Sequence, residues 1–148
     1  MSANLPVVMA DAGQIESALL NLVLNARDAM PDGGKIIVRT VSRTINMDVA
    51  ASVEAKPGNY ISIDVIDTGH GMTAEVIDQA FEPFFTTKNV GEGTGLGLSM
   101  VYGFAKQSDG FVEIDSEVGR GTTIRLCLPC VPEEESFQET NAVTKHLR

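Results

Sequence analysis

The first apolar pattern along the chain has the period of an α-helix. Its apolar positions recur every three or four residues and are Ile15, Leu19, Leu22, Val23, Ala26 and Met30. Asp11 and Gln14 have the spacing of a capping box, which satisfies free amides at a helix start. The turn sequence PDGG, residues 31–34, stops the pattern. The sequence therefore predicts a helix that opens at Asp11 and ends before residue 31.

The next part of the chain predicts two strands with a loop between them. Residues 35–45 are strand-like, residues 46–58 are polar and mixed, and residues 60–67 alternate as a strand does. The alternation places one set of side chains on a single face, namely Ile61, Ile63, Val65 and Asp67. We expect that face to be the one turned toward the core.

The second half of the chain predicts two helices and a hairpin. The helices are expected at residues 73–81 and 96–107, and a mobile Gly- and Thr-rich loop at 82–95 joins them. Strands at 111–116 and 122–128 flank the turn sequence EVGRG and must pair antiparallel. Strands and helices that mix without strict alternation predict a two-layer α/β sandwich, with a mixed sheet of about five strands covered on one face by about three helices. We expect one domain over residues 1–131, followed by a tail or linker over 132–148.

Composition narrows the possible functions. The chain has 148 residues, 43% of them hydrophobic, which suits one globular domain. No apolar run approaches the ~20 residues that span a bilayer, and the N-terminus lacks the features of a signal peptide. The formal net charge of −9 argues against nucleic acid as a partner. It leaves room for a small phosphate ligand, because backbone amides can bind one.

The two cysteines form the sequence CLPC, at Cys127 and Cys130. Such a pair could serve redox chemistry or half of a zinc site. No second pair completes a zinc site, and the motif ends a strand, whereas a thioredoxin-like pair begins a helix. We interpret both as ordinary strand residues in a reducing compartment.

The first helix carries a polar stripe beside its apolar one. Asn21, Asn25 and Asp28 stand at i, i+4 and i+7, on one face. They could simply form the solvated face of an amphipathic helix. Alternatively, carboxamide oxygens one turn apart could ligate a hard cation such as magnesium, together with water and phosphate.

Further polar candidates follow on the predicted strands. Asp67 shares its face with apolar residues, and a buried carboxylate needs donors, which an adenine amine would supply. The alternative is a structural aspartate that caps the next turn. Gly69 and Gly71 allow close backbone approach and positive φ. Thr122 shares the inward parity of Ile124 and is either a site hydroxyl or an ordinary strand threonine.

A glycine-rich segment, GEGTGLGLS at residues 91–99, leads into the second long helix. Free amides and the helix dipole at such a start suit phosphate. It is neither a GxxxxGK[ST] P-loop nor a Rossmann fingerprint. Lys88, on the preceding loop, is the nearest cation and could swing onto a phosphate.

In order along the chain, these segments resemble the catalytic ATP-binding domain of sensor histidine kinases, in the superfamily of DNA gyrase, MutL and these kinases. NLVLNARDAM resembles the asparagine box, DTGHGM the first glycine box, FEPFFTTK the phenylalanine box, GEGTGLGLS the second glycine box and GRGTTIRLCLP the closing strand. The resemblance covers residues 11–129 and implies a Bergerat-type ATP-binding fold. It also implies ATP and Mg²⁺ as cofactors. The domain would be cytoplasmic, and its parent protein could be anchored to a membrane.

The resemblance also implies roles for individual residues. Asn25 would ligate magnesium, Asp67 would accept from the adenine amine, and Lys88 would reach the phosphates as a catalytic cation. The nucleotide-contacting set that it implies is Asn21, Asn25, Arg27, Asp28, Asp67, Gly69, Gly71, Met72, Phe85, Thr86, Thr87, Lys88, Gly93, Thr94, Gly95, Leu96, Gly97, Leu98 and Thr122. Many family members carry lysine where Asp28 stands, so this chain departs from the pattern there.

The expected activity is transfer of the ATP γ-phosphate to a histidine on a separate dimerisation domain, with a response-regulator receiver domain as the later partner. The gyrase and MutL branches carry a glutamate base where this chain has Asn21, and an amide cannot take that proton. The chain's own histidines, His70 and His146, lack a helical acceptor setting, so the isolated chain should bind ATP without phosphorylating itself. The alternatives are a gyrase- or MutL-type ATP-driven clamp, a serine kinase of the same fold that acts as an anti-sigma factor, and a nucleotide-binding switch without catalysis.

Overall fold

The computed structural model describes residues 11–82 and 97–130. In chain order its elements are α1 (Ala12–Asp28), β1 (Ile36–Ile45), α2 (Met47–Ser52), β2 (Gly58–Asp67), α3 (Ala74–Gln79), α4 (Gly97–Gln107), β3 (Phe111–Glu117) and β4 (Gly121–Pro129). The predicted strands and helices are all present, with ends that agree to within three residues. The tail 132–148 lies outside the described residues, so the domain boundary stays a prediction.

Helix α1 begins as its sequence indicates. The side chain of Asp11 accepts a hydrogen bond from the amide of Gln14 at 3.1 Å, which satisfies one of the free donors of the first turn. The helix ends at Asp28, and Met30 lies beyond it, before the turn that leads to β1. The cap and the following turn together fix where α1 meets the sheet.

The four strands of the described residues form one sheet in the order β1-β2-β4-β3. Every neighbouring pair is antiparallel, including the predicted β3–β4 hairpin. Within residues 11–82 and 97–130 the sheet is thus one strand short of the expected five, and none of its pairings is parallel. The expected mixed sheet is not found there, because β4 inserts antiparallel between β2 and β3.

Helices α1 and α4 cover one face of this sheet and enclose the main core. The fully buried positions at the centre of that core are Leu22 of α1, Val101 and Ala105 of α4, and Leu126 of β4. Burial of a side chain the size of leucine contributes roughly 1.5–3 kcal/mol, so this layer supplies most of the stability. The predicted two-layer α/β sandwich is confirmed.

The other sheet face is polar at its centre and apolar at one end. The apolar end includes Tyr60 and Phe111, whose rings meet edge-on with centroids 5.2 Å apart, and the buried Ala50 of α2. The prediction of a loop over residues 46–58 was wrong for this helix. Asn46 caps α2 by accepting from the amide of Val49 at 2.9 Å, and six residues are too few to show a helical period.

Candidate nucleotide-binding site

Asp67 is the last residue of β2 and lies on the helix-covered face of the sheet. Asp67 is buried, with only 6% of its surface exposed. Its Oδ1 accepts two backbone hydrogen bonds, from the amide of Gly69 at 2.8 Å and from the amide of Thr122 at 3.2 Å. The first of these bonds caps the turn after β2, as the structural alternative for this aspartate requires. The carboxylate is therefore held in a fixed orientation by the backbone on both sides.

The second oxygen of Asp67 is available to a ligand. Both recorded hydrogen bonds end on Oδ1, so Oδ2 has none from residues 11–82 or 97–130. In that part of the chain, every side-chain oxygen or nitrogen that is shut off from solvent has a hydrogen-bond partner. Oδ2 is consequently reachable from outside, and a carboxylate oxygen in this position can only accept. The arrangement suits a ligand that presents an N–H donor.

Three polar side chains stand next to one another across the sheet at this end. Asp67 of β2 pairs with Thr122 of β4, and Thr122 pairs with Ser116 of β3. Thr122 is 5% exposed, and its Oγ1 lies 2.7 Å from the Oγ of Ser116. Sequence reasoning found Asp67 and Thr122 from strand parity, but it missed Ser116. The predicted hairpin register, which sets Ser116 opposite Thr122, was the signal that could have found it.

The turn after β2 packs tightly against its surroundings. Gly71 has φ +74°, and a Cβ there would lie 2.2 Å from the carbonyl oxygen of Glu117. At Gly69 a Cβ would lie 2.5 Å from the carbonyl oxygen of Ala29. Met72 follows, with its amide donating to Ser116 Oγ at 2.8 Å. Only glycine fits at these two positions, which holds the turn close to both α1 and the β3–β4 hairpin.

The same turn docks on the C-terminal end of α1. The amide of His70 donates to the carbonyl of Ala29 at 3.2 Å, and the amide of Ala29 donates to the carbonyl of Asn25 at 3.1 Å. Asn25 and Asn21, one turn earlier, are half-buried on this helix. The last turns of α1 and the turn at Asp67 therefore meet on the same side of the sheet.

The charged pair at the end of α1 is more exposed than the asparagines. Arg27 Nη2 lies 3.3 Å from Asp28 Oδ1, and their side chains are 68% and 30% exposed. An ion pair between such exposed side chains contributes little to stability. The Arg27 guanidinium, the more exposed of the two groups, remains accessible to a charged ligand.

Most of the predicted phosphate-contacting residues lie outside the described residues. These are Phe85, Thr86, Thr87, Lys88, Gly93, Thr94, Gly95 and Leu96. Gly97 begins α4, and Leu98 packs against the main core. The start of α4 thus shares the core with α1 and β4, on the same face of the sheet as Asp67.

The described residues show neither a cluster of side chains that could ligate a metal nor a helix that could cross a membrane. Within 11–82 and 97–130, no three His, Cys, Asp or Glu side chains cluster as metal ligands. A magnesium site built from one asparagine, water and phosphate would not be of that kind. Cys127 and Cys130 are both free thiols, and burial raises the pKa of each. No helix in this part of the chain is long and apolar enough to cross a bilayer.

Comparison with known proteins agrees with this geometry. A family profile described as histidine kinase-, DNA gyrase B- and HSP90-like ATPase matches residues 10–132. The match spans most of the chain, and the chain belongs to this family of ATPase domains.

Within the family, the chain is similar to sensor kinases. It is 50% identical over 144 residues to the sensor kinase CckA of Brucella abortus, covering 95% of this chain and 15% of that protein. It is 37% identical over 125 residues to the sensor histidine kinase ZraS of Escherichia coli, covering 84% of this chain and 23% of that protein. The chain therefore spans a quarter or less of these two relatives.

Solved structures show the same fold. The mycobacterial sensor histidine kinase MprB matches with a TM-score of 0.65 and 26% identity, covering 84% of this chain and 76% of that one. Full-length ShkA in complex with AMPPNP matches with a TM-score of 0.62 and 26% identity, covering 86% of this chain and 24% of that one. The second of these proteins is thus described with an ATP analogue bound.

Proposed function

We propose that this chain binds ATP with Mg²⁺ and is the catalytic domain of a sensor histidine kinase. It would transfer the γ-phosphate to a histidine on a separate dimerisation domain. The observation that carries the proposal is the available Oδ2 of Asp67, held beside Thr122 next to the last turns of α1. Membership in the ATPase family and similarity to CckA and ZraS support it.

The adenine would be recognised at the end of β2. Asp67 Oδ2 would accept a hydrogen bond from the exocyclic amine, a donor that fits an oxygen with no protein partner. Thr122 would assist at the edge of the base, and Gly69, Gly71 and Met72 would border it. A buried carboxylate against a base amine discriminates strongly, because a base without that donor leaves the charge unpaired.

The phosphates would lie along α1 and the start of α4. Asn25 would hold the magnesium ion and Asn21 would line the same face of α1, while Arg27 and Asp28 would approach the ribose or phosphates. The remaining contacts would come from Phe85, Thr86, Thr87, Lys88, Gly93, Thr94, Gly95, Leu96, Gly97 and Leu98. Magnesium, when bound, would neutralise developing charge on the phosphates, and the chain's own groups would position the γ-phosphate for in-line attack.

Residue 21 does not supply a base that would activate water. Asn21 stands where the clamp-type ATPases that this chain resembles carry glutamate, and a carboxamide does not accept a proton in that role. The ring of His70 is held by its own loop, with Nδ1 2.8 Å from the carbonyl oxygen of Gly71. Transfer to an imidazole on another domain is therefore the favoured outcome, with a receiver domain as the later acceptor and the cytoplasm as the site of action.

The first experiment measures nucleotide affinity by calorimetry, with and without magnesium. Asp67→Asn keeps the size of the side chain but replaces one acceptor by a donor, so ATP affinity should fall about 10- to 100-fold. Asn25→Ala should remove most of the gain in affinity that magnesium gives. Asp64→Asn is the matched control, since Asp64 lies on the same strand but faces the opposite side of the sheet. Equal ATP affinity in wild type and Asp67→Asn would exclude the assigned site.

The second experiment tests the transfer itself. The chain is incubated with γ-labelled ATP, alone and with the dimerisation domain of a related sensor kinase. Acid-labile label on the histidine of the added domain, and none on the chain alone, is the expected result. Rapid release of free phosphate from the chain alone would instead indicate a clamp-type ATPase.

A further inference from the structure

Ser116 makes three hydrogen-bond contacts at the end of the sheet, although sequence reasoning had not identified it as part of the site. It lies on β3, one strand beyond Thr122, and it does not neighbour Asp67 directly. Its Oγ accepts from the amide of Met72 at 2.8 Å, lies 3.0 Å from the carbonyl oxygen of Gly121, and lies 2.7 Å from Thr122 Oγ1. One hydroxyl thus joins the turn after β2 to the side chain of Thr122.

The three contacts favour one arrangement of protons over its opposite. A serine hydroxyl has a single proton to donate and two lone pairs that accept. The carbonyl of Gly121 can only accept and the amide of Met72 can only donate, so the proton of Ser116 goes to Gly121 and one lone pair goes to Met72. The second lone pair is then filled by the hydroxyl proton of Thr122. In the opposite arrangement, two oxygens would face each other at 3.0 Å with no proton between them.

This arrangement determines what Thr122 can offer a ligand. Its only proton is committed to Ser116, so any further hydrogen bond that Oγ1 makes is one that it accepts. Asp67 Oδ2, on the neighbouring strand, is also an acceptor. The edge of the site therefore presents two acceptors side by side. A purine with an amine at position 6 matches that pair, while a purine with a carbonyl there places a third acceptor against them.

We propose that Ser116 is a positioning residue that sets the preference of the site for 6-amino over 6-oxo purines, by holding the Thr122 hydroxyl in its accepting orientation. The inference rests on the proposed binding of ATP and deepens it. Ser116 acts through Thr122 and does not itself touch the base. The hydrogen bond that it accepts from the Met72 amide also fixes the position of the turn after β2, which would border the base.

The test compares the magnesium complexes of ATP and inosine triphosphate, which differ in the group at position 6. Affinities are measured by calorimetry on the full chain. In Ser116→Ala the Thr122 proton is released and can turn toward a 6-oxo group, so the ratio of ATP to inosine triphosphate affinity should fall about tenfold. Ser116→Thr keeps the hydroxyl in a strand position and should restore the wild-type ratio. Ser116→Cys, a near-isosteric change with a weaker donor, serves if the alanine variant does not fold.

A double variant separates a route through Thr122 from a general loosening of the site. If Ser116 acts through Thr122, Ser116→Ala combined with Thr122→Val should have the same ratio as Thr122→Val alone. Asp115→Asn, the adjacent residue on the other face of β3, is the matched control and should leave the ratio unchanged. Equal loss of affinity for both nucleotides in Ser116→Ala would overturn the proposal about Ser116, but it would not contradict the proposed binding of ATP by the wild-type chain. Failure of the wild-type chain to bind ATP would remove both the proposed function and this inference.

Discussion

At the scale of single residues, two glycines of the β3–β4 hairpin, one in its turn and one at the start of β4, differ in the space around them. Gly119 has φ +86° and no atom within 4 Å of a Cβ placed there, while Gly121 has φ +126° and a Cβ would lie 2.1 Å from the carbonyl oxygen of Asp67. Gly119→Ala should therefore cost only backbone strain, about 1 kcal/mol. Gly121→Ala adds a clash with the strand that carries the site and should cost about 3 kcal/mol or more.

Urea unfolding of the two variants measures this difference, and ATP titration shows where the strain goes. Because the clash at Gly121 falls on the backbone of Asp67, Gly121→Ala should also weaken ATP binding, whereas Gly119→Ala should not. Similar losses of stability in the two variants would mean that the hairpin can shift away from β2. That result would contradict the tight packing on which the geometry of the row Asp67–Thr122–Ser116 depends.

The sequence predicted side chains of the site only where alternation along a strand decides which face of the sheet they lie on. Parity along β2 and β4 places Asp67 and Thr122 on the inward face, and the structure has both buried there. Parity does not give the turn bond from Gly69 to Asp67 Oδ1, which decides that Oδ2 is the available oxygen. Nor does it give the contacts of Ser116, because these depend on the hairpin register and on the fold of the turn at Met72 together.

At the scale of elements, a row of charged side chains crosses the sheet on the face away from α1 and α4. Arg39, Asp64, Arg125 and Glu113 are successive cross-strand neighbours on β1, β2, β4 and β3. Asp64 is buried, with Oδ2 3.3 Å from Arg39 Nε and 4.0 Å from Arg125 Nε. The Asp64 carboxylate thus connects β1, β2 and β4, and Arg125 reaches β3 through Asp115, with Nη2 3.7 Å from Oδ2.

Substitutions in this row should lower the free energy of unfolding by unequal amounts. Asp64→Ala leaves Arg125 without its buried partner and should lower the free energy of unfolding by about 2 kcal/mol. Arg39→Ala should cost at most about 1 kcal/mol, because the Arg39 side chain is 56% exposed and the solvent screens the pair. Urea unfolding compares the two, and ATP affinity should change in neither. A larger loss for Arg39→Ala than for Asp64→Ala would show that the buried carboxylate does not hold the row together.

Elements with a long apolar period were predicted well, and so was the short helix α3, whereas the short helix α2 and the strand order were not. Helix α1 and strand β2 each carry enough regularly spaced apolar positions to be recognised from the sequence. Helix α2 was assigned to a loop, since its six residues depend on the Asn46 cap and on burial of Ala50 against Tyr60. The position of β4 between β2 and β3 also has no local signal, because it is decided by which strands pair across 50 or more residues of chain.

At the scale of the whole molecule, the sheet carries the main core on one face and a smaller apolar cluster on the other. Several of the proposed nucleotide contacts lie on α1, β2, α4 and β4, and these four elements all pack into the main cluster. Cys127 lies on the opposite face of β4, fully buried, with its thiol 3.3 Å from Arg43 Nη1. Burial is the largest influence on this thiol and raises its pKa, so it stays protonated and poorly nucleophilic while the chain is folded.

Cys127 should therefore report the effect of ATP on the whole fold without touching the nucleotide. In a Cys130→Ala chain, reaction of Cys127 with a thiol reagent requires an opening of the sheet, and its rate follows the population of the open form. If that opening is global, MgATP at about 100 times its Kd stabilises the folded chain by about 2.7 kcal/mol and should slow the reaction about 100-fold. Asp67→Asn provides the control, since the same ATP concentration should slow its reaction only about 2- to 11-fold. An unchanged rate in wild type under saturating ATP would mean that β4 opens locally, and that the two faces of the sheet are not one cooperative unit.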